Sequence, residues 1–194
     1  MIPYTLALVV CDEEERLREL KQKLLQLPPS LYPSHISIVV QSDVIYPLLD
    51  PTFQAVVDIA NLGIRDRRRG YCEPSRELLL DLCPTDWVLN LDADEWLTPF
   101  AWEQLPHWIA EEKVDGYMLT RCTTIDGVEI ERQRFLRLFR QSKLKRPVDS
   151  RIHSCWEIAP GGRVIHIDPE SITHYKTSSE QQSDNLRYKE LQQE

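Results

Sequence analysis

Residues 4–10 form a continuous apolar, β-prone run, which predicts a strand buried on both faces of a largely parallel sheet. The apolar spacing then lengthens. Leu17, Leu20, Leu24 and Leu25 recur at helical intervals until Pro28 and Pro29 end the pattern, and Asp12 with Glu15 has the form of a capping box. Charges along this helix run from acidic to basic, the order its dipole favours. Residues 35–41 read as a second strand, and strand, helix, strand in succession points to a right-handed parallel unit and an α/β class.

Farther on, Pro47 and Pro51 break the pattern, 52–60 reads as helical, and Gly63 and Ile64 open a short strand. A basic loop at 65–70 leads to a helix at 74–82 with Pro74 in its first turn, then to a buried strand at 87–91. A helix is predicted at 99–112, a strand at 116–125, and a tight turn at Asp126-Gly127 into a second strand. Residues 134–140 alternate, with Phe135, Arg137 and Phe139 on one side, and 143–162 is irregular and expected to form part of a site. Short strands at 163–167 and 171–175 precede a last helix carrying Leu186 and Leu191 and capped by Ser178 or Ser179. No repeat or linker divides the chain, so one domain over 1–194 is expected, with a donor-binding part at about 1–98 and an acceptor part at about 99–194.

At 194 residues and 42% hydrophobic composition the chain can bury one substantial core. A net charge of −8 argues against general nucleic-acid binding, which draws on phosphate neutralisation by lysine and arginine. Cys11, Cys72, Cys83, Cys122 and Cys155 form no C-x-x-C pair, which speaks against structural zinc or a redox dithiol and fits a reducing cytoplasm. The amino terminus lacks the basic region of a signal peptide, and no stretch approaches the roughly 20 apolar residues of a membrane span. A cytoplasmic protein is expected, with oligomerisation left open.

The strand at 87–91 delivers Asp92, Asp94 and Glu95 as it leaves the sheet. Ligands of open α/β sheets collect at the carboxyl ends of strands, and adjacent unpaired carboxylates there repel one another unless a cation joins them. Hard oxygen ligands favour Mg2+ or Mn2+, which also take phosphate oxygens and water. The competing reading is a solvated acidic turn that caps the next helix. Strand context, Glu95, and the Leu97-Thr98-Pro99 that follows favour a site.

The segment Asp86-Trp87-Val88-Leu89-Asn90-Leu91-Asp92-Ala93-Asp94-Glu95 resembles the "dWvLxLDADE" signature of bacterial-type family 2 glycosyltransferases. Ser75-Arg76-Glu77, Arg137-Leu138-Phe139-Arg140, Ile152-His153, His174-Tyr175-Lys176 and Arg187-Tyr188 are similar to further elements of that family, in the same order. The resemblance implies a GT-A fold, a three-layer α/β/α sandwich around a mostly parallel sheet. It also implies a nucleotide-sugar donor such as a UDP-sugar, a divalent Mn2+ or Mg2+, transfer with inversion, and a glycan, lipid-linked or other hydroxyl acceptor.

By the same resemblance Asp94 coordinates the metal, Asp92 reaches the donor ribose or a metal-bound water, and His174 completes the coordination. Arg76, and more weakly Lys176, would contact the diphosphate. The family's uracil-holding aspartate is replaced by Gln41-Ser42-Asp43, so that either Asp43 or Gln41 would meet the base. Inverting transfer needs a carboxylate that takes the acceptor proton; Glu157 ranks first and Asp149 second, ahead of Asp126 and Glu95. Trp96 and Trp156 are candidates to cover a sugar face, whereas Trp87, Trp102 and Trp108 read as core. Two rivals remain: another metal-dependent phosphate enzyme such as a nucleotidyltransferase, whose Gly-rich phosphate loop is missing, and a sugar- or nucleotide-binding module without turnover.

Overall fold

The computed structural model describes residues 3–10, 14–40, 57–61, 79–145 and 156–191. Four strands run parallel in the order β3-β2-β1-β4: β1 (Thr5–Val10), β2 (His35–Val40), β3 (Val57–Asn61) and β4 (Trp87–Asp92). Helix α1 (Glu14–Gln26) connects the first two, burying Leu20 and Leu24 and leaving Leu25 exposed. The continuous apolar run of β1 has its explanation in the layers on either side. Leu6, Leu8 and Val10 pack with α1, while Ala7 packs on the opposite face with Val39, Val88, Leu79, Leu80 and Cys83.

One expectation is corrected here. Val57–Asn61 is a strand, not the end of a helix, because it pairs in register with β2 from Ile36↔Val57 to Val40↔Asn61. The β-branched Val57 and Ile59 suit an extended backbone, and a neighbouring strand outweighs a weak helical pattern.

Beyond β4 the sheet is mixed, with antiparallel pairs and one further parallel pair. β5 (Glu95–Leu97), α2 (Pro99–Ala110), β6 (Gly116–Ile125), β7 (Val128–Arg140) and β10 (Val164–Lys176) complete an eight-stranded sheet of order β3-β2-β1-β4-β7-β6-β10-β5. β8 (Leu144–Lys145) and β9 (Glu157–Ile158) form a separate ribbon, and α3 (Ser178–Leu191) follows β10. Thr98 caps α2, its Oγ1 accepting from the Ala101 amide at 3.2 Å, with Pro99 in the first turn. The helix lays Ala101, Trp102, Leu105, Trp108 and Ile109 on the same sheet face as α1. With helical residues 79–81 on the other face, the α/β/α layering holds.

The β6–β7 turn has positive φ at both central residues, 48° at Asp126 and 83° at Gly127, as a primed hairpin turn requires. Along β7 the expected alternation slips. Pairing passes from Tyr117↔Leu138 to Met118↔Leu136, leaving Arg137 as the extra residue of a β-bulge. Phe139 consequently packs with Leu136, Val88 and Trp156, and not on the side of Phe135 and Arg137.

β10 is one strand with register irregularities between Ile167 and Ile172, where two short strands were expected. The cap of α3 is Thr177, not a serine: Thr177 Oγ1 accepts from the Glu180 amide at 3.2 Å, and the Thr177 amide donates to Glu180 Oε2 at 2.7 Å. Ser178 bonds Asp126 instead, and Leu186 is exposed. Among the described residues no helix is long and apolar enough to cross a membrane.

Candidate active site

Asp92 ends β4, Ala93 and Asp94 form a turn, and Glu95 opens β5. β5 runs antiparallel to β10 with Glu95 opposite His174, and β6 lies beside β10 with Thr123 opposite His174. The acidic turn is thereby folded against the ends of β6 and β10, and the bulge of β7 aims Arg137 into the same place.

The three carboxylates have different surroundings. Glu95 is fully buried; its Oε1 accepts from Arg137 Nη2 at 2.6 Å and from Arg121 Nη1 at 3.1 Å, and its Oε2 accepts from the Asp92 amide at 3.0 Å. Burial pushes the Glu95 carboxyl upward, against which these donors, two of them arginine nitrogens, stabilise its ionised form. Arg137 Nη2 also donates to Asp92 Oδ2. Burial would lower the Arg137 pKa, yet the charges of Asp92 and Glu95 hold it above the ordinary arginine value. Both guanidinium groups lie over the Phe135 ring, with Arg121 Cζ 4.3 Å and Arg137 Cζ 5.4 Å from its centroid.

The repulsion anticipated between Asp92 and Glu95 is met by Arg137, which bonds both carboxylates, and by Arg121 on Glu95. Glu95, enclosed and bonded on both oxygens, has no access to an acceptor hydroxyl and is not a base candidate. Asp92 keeps 37% of its side chain exposed and faces the rim.

Asp94 has the partner that bears on metal chemistry. Its Oδ2 lies 2.9 Å from His174 Nε2, and His174 Nδ1 lies 3.0 Å from Thr123 Oγ1. Burial raises the Asp94 pKa, but the hydrogen bond and charge of His174 outweigh it and hold the carboxyl below its usual range, helped by the charge of Lys176. Lys176 follows His174 by two residues and so lies on the same strand face.

A neutral imidazole can carry its proton on either nitrogen, and a threonine hydroxyl can donate or accept. The 2.9 Å contact with the Asp94 carboxylate places a proton on His174 Nε2; a cation at this point would replace that proton, with Nδ1 then protonated and Thr123 accepting from it. This nitrogen and oxygen pair, with a hydroxyl that can accept from Nδ1, fits a divalent ion such as Mn2+. Among the described residues no group of three or more His, Cys, Asp or Glu forms a metal cluster, so a cation here would draw its other ligands from phosphate oxygens and water.

Gln41, Asp43, Arg76 and Asp149 lie outside the described residues, as do Arg65 to Arg69 and His153. Glu157 is exposed on the β8–β9 ribbon and ion-paired with Lys145 at 3.2 Å. Its neighbour Trp156 is buried and donates from Nε1 to Asn90 Oδ1 at 2.9 Å. Asn90 and Asp92 are two apart on β4, so this bond ties the segment carrying Glu157 to the strand face on which Asp92 lies. The bond also corrects the reading of Trp156 as a sugar platform, since its ring packs against Phe139 at 5.7 Å. Trp96 is half-buried against Trp102 at 5.2 Å, and Lys23 Nζ lies 5.6 Å from its ring. Asp126 is occupied with Ser178 at the base of α3.

Three residues of the site were not singled out from the sequence: Arg121, Thr123 and Phe135. Arg137 was read only as part of a motif. They reach the site through pairing between distant strands, which leaves no local pattern.

Parallel β1 to β4 with an acidic turn at the end of β4, followed by an antiparallel return through β7, define the GT-A fold. No protein-family model matches the chain. Over 114 residues it is 28% identical to the lipopolysaccharide core biosynthesis glycosyltransferase LpsC of Rhizobium meliloti (strain 1021), a match that covers 56% of this chain and 41% of that protein. Residues 1–349 of S. aureus TarS superpose with a TM-score of 0.58 at 12% identity, over 94% of this chain and 62% of that one. The same TarS fragment in complex with UDP-GlcNAc gives 0.57 at 14% identity, over 90% and 58%. The chain is thus a GT-A-fold domain similar to these glycosyltransferases, and it spans about two fifths of the curated relative and about three fifths of the TarS fragment.

Proposed function

We propose that the chain transfers a sugar from a nucleotide-sugar, specifically a UDP-sugar, to a hydroxyl acceptor with inversion. The observation that carries this reading is the Asp94–His174 pair, backed by Thr123, at the carboxyl end of β4 in a GT-A fold. The complex of TarS with UDP-GlcNAc supports the choice of donor.

In this reading Asp94 and His174 hold Mn2+ or Mg2+. When bound, the cation supplies positive charge opposite the diphosphate that leaves the anomeric carbon. With the ion in place Thr123 accepts from the Nδ1–H of His174 and leaves the Nε2 lone pair to the metal. Asp92, exposed on one edge, accepts hydrogen bonds from donor hydroxyls. Lys176 and Arg76 attract the diphosphate, and Asp43 or Gln41 meets the base. Glu157 takes the proton of the acceptor hydroxyl, with Asp149 as the alternative. The proton has to be removed on the side opposite the leaving group, so the base belongs to a segment outside the acidic turn.

Incubation with UDP-sugars and Mn2+ tests the class: transfer, or slow release of UDP, is expected, whereas synthesis of UDP-sugar from sugar phosphate and UTP would reject it. Asp94→Ala is expected to abolish metal-dependent UDP binding in titration calorimetry while the circular dichroism spectrum stays native. Unchanged affinity would remove Asp94 from the site. Glu157→Gln is expected to keep donor affinity and lower turnover about 10²-fold; full turnover would transfer the role to Asp149.

A further inference from the structure

Asp92 is held at both ends by a closed ring of hydrogen bonds. Its amide donates to Glu95 Oε2, Glu95 Oε1 accepts from Arg137 Nη2, and the same Nη2 donates to the Asp92 carboxylate. Backbone and side chain of one residue are thus fixed through two others. An aspartate at a strand end would otherwise rotate freely in water. Here one oxygen is fastened to a guanidinium that is only 5% exposed, on a side chain that keeps 37% of its own surface exposed.

The ring is itself secured. Arg121 donates to the Glu95 oxygen that Arg137 uses, and Phe135 lies against both guanidinium groups. Arg137 occupies the bulge of β7, where the extra residue turns its side chain out of the regular alternation. Arg137 lies between the Asp92 and Glu95 carboxylates, and Arg121 pairs with Glu95 at 3.1 Å and with Glu131 at 3.9 Å. Buried ion pairs are poor stabilisers compared with apolar packing of equal volume. A protein that retains one beneath a half-exposed carboxylate gains orientation of that carboxylate, since a binding group is productive only when its support holds it in place.

We propose that Arg137 is a positioning residue for donor binding: clamped by Glu95 and backed by Arg121 and Phe135, it sets the Asp92 carboxylate in the orientation that receives the donor's hydroxyl groups. The proposal rests on the reading of the site as a nucleotide-sugar site. Arg137 touches no substrate; its effect passes through Asp92.

A double-mutant cycle tests this on the full chain, with UDP and Mn2+ in titration calorimetry and circular dichroism to verify folding. Arg137→Lys keeps the charge and removes the planar guanidinium that lies against Phe135 and brings Nη2 to both carboxylates, and is expected to weaken UDP binding about tenfold, as loss of a supporting contact behind a binding group does. In an Asp92→Asn background the same substitution is expected to have no further effect. Equal weakening in both backgrounds, or none in the wild-type background, overturns the proposal. Arg121→Gln is the gentler variant, expected to weaken binding about threefold and again only while Asp92 is present. It decides the matter if Arg137→Lys does not fold. A folded wild-type protein that fails to bind UDP with Mn2+ overturns the proposed function itself, a result distinct from a wild type that binds and ignores Arg137.

Discussion

Three carboxylates within four residues carry three different tasks, and the difference lies in which strand each one meets. Glu95 turns inward to two arginines, Asp92 rests on one of them, and Asp94 faces an imidazole. Among the described residues, removing Glu95 leaves the buried Arg137 with only Asp92 and the partly buried Arg121 with Glu131 as the acidic partner. Glu95→Ala is accordingly expected to lower stability by about 3–5 kcal/mol in urea unfolding, the loss seen when one member of a buried ion pair is deleted; a loss below about 1 kcal/mol would show that water or Asp92 compensates. Thr123→Val conserves volume and deletes only the hydroxyl that meets His174 Nδ1. Its stability effect is expected to stay near about 1 kcal/mol, while Mn2+-dependent UDP affinity falls about tenfold and affinity without metal is unchanged. Titrating UDP across a series of Mn2+ concentrations separates the two.

At the scale of elements, local chemistry accounts for what could be read from the sequence and for what could not. The strand at Gly116–Ile125, the turn at Asp126-Gly127 and the helix begun by Thr98-Pro99 follow from residues adjacent in the chain, and the structure has all three. Val57–Asn61 owes its extended form to β2, and the phase of β7 changes at a bulge that depends on its fit to β6. Neither partner is visible in the segment itself. The same contrast divides the site. Asp92 and Asp94 announce themselves at a strand end, whereas Arg121 and Thr123 resemble any other strand residues until β6 lies beside β10. The hairpin turn offers a clean test of a local determinant: a Cβ on Gly127 meets nothing within 4 Å, so any loss in Gly127→Ala reflects its φ of +83° alone. A loss of about 1–2 kcal/mol in urea unfolding is expected; a neutral result would mean that the hairpin shifts to another turn type at no cost.

For the whole molecule, the order β3-β2-β1-β4-β7-β6-β10-β5 joins an all-parallel half to a mixed half in one sheet. The parallel half opens its carboxyl edge at Asp92, and the mixed half returns His174, Thr123 and Arg137 to that edge from sequence distances of 31 to 82 residues. Because the site joins both halves, a ligand bound there stabilises the fold as a unit. At a concentration 100 times its dissociation constant, a ligand that binds only the folded state adds about 2.7 kcal/mol. For a chain of 194 residues each kcal/mol raises the melting temperature by about 2–4 °C, so UDP with Mn2+ is expected to raise it by about 5–11 °C. EDTA should erase the shift, and Asp94→Ala should show none with or without metal. A shift by UDP that survives EDTA would place the nucleotide on protein groups alone. Asp94 and His174 would then keep the hydrogen bond they share, with no part in holding a diphosphate.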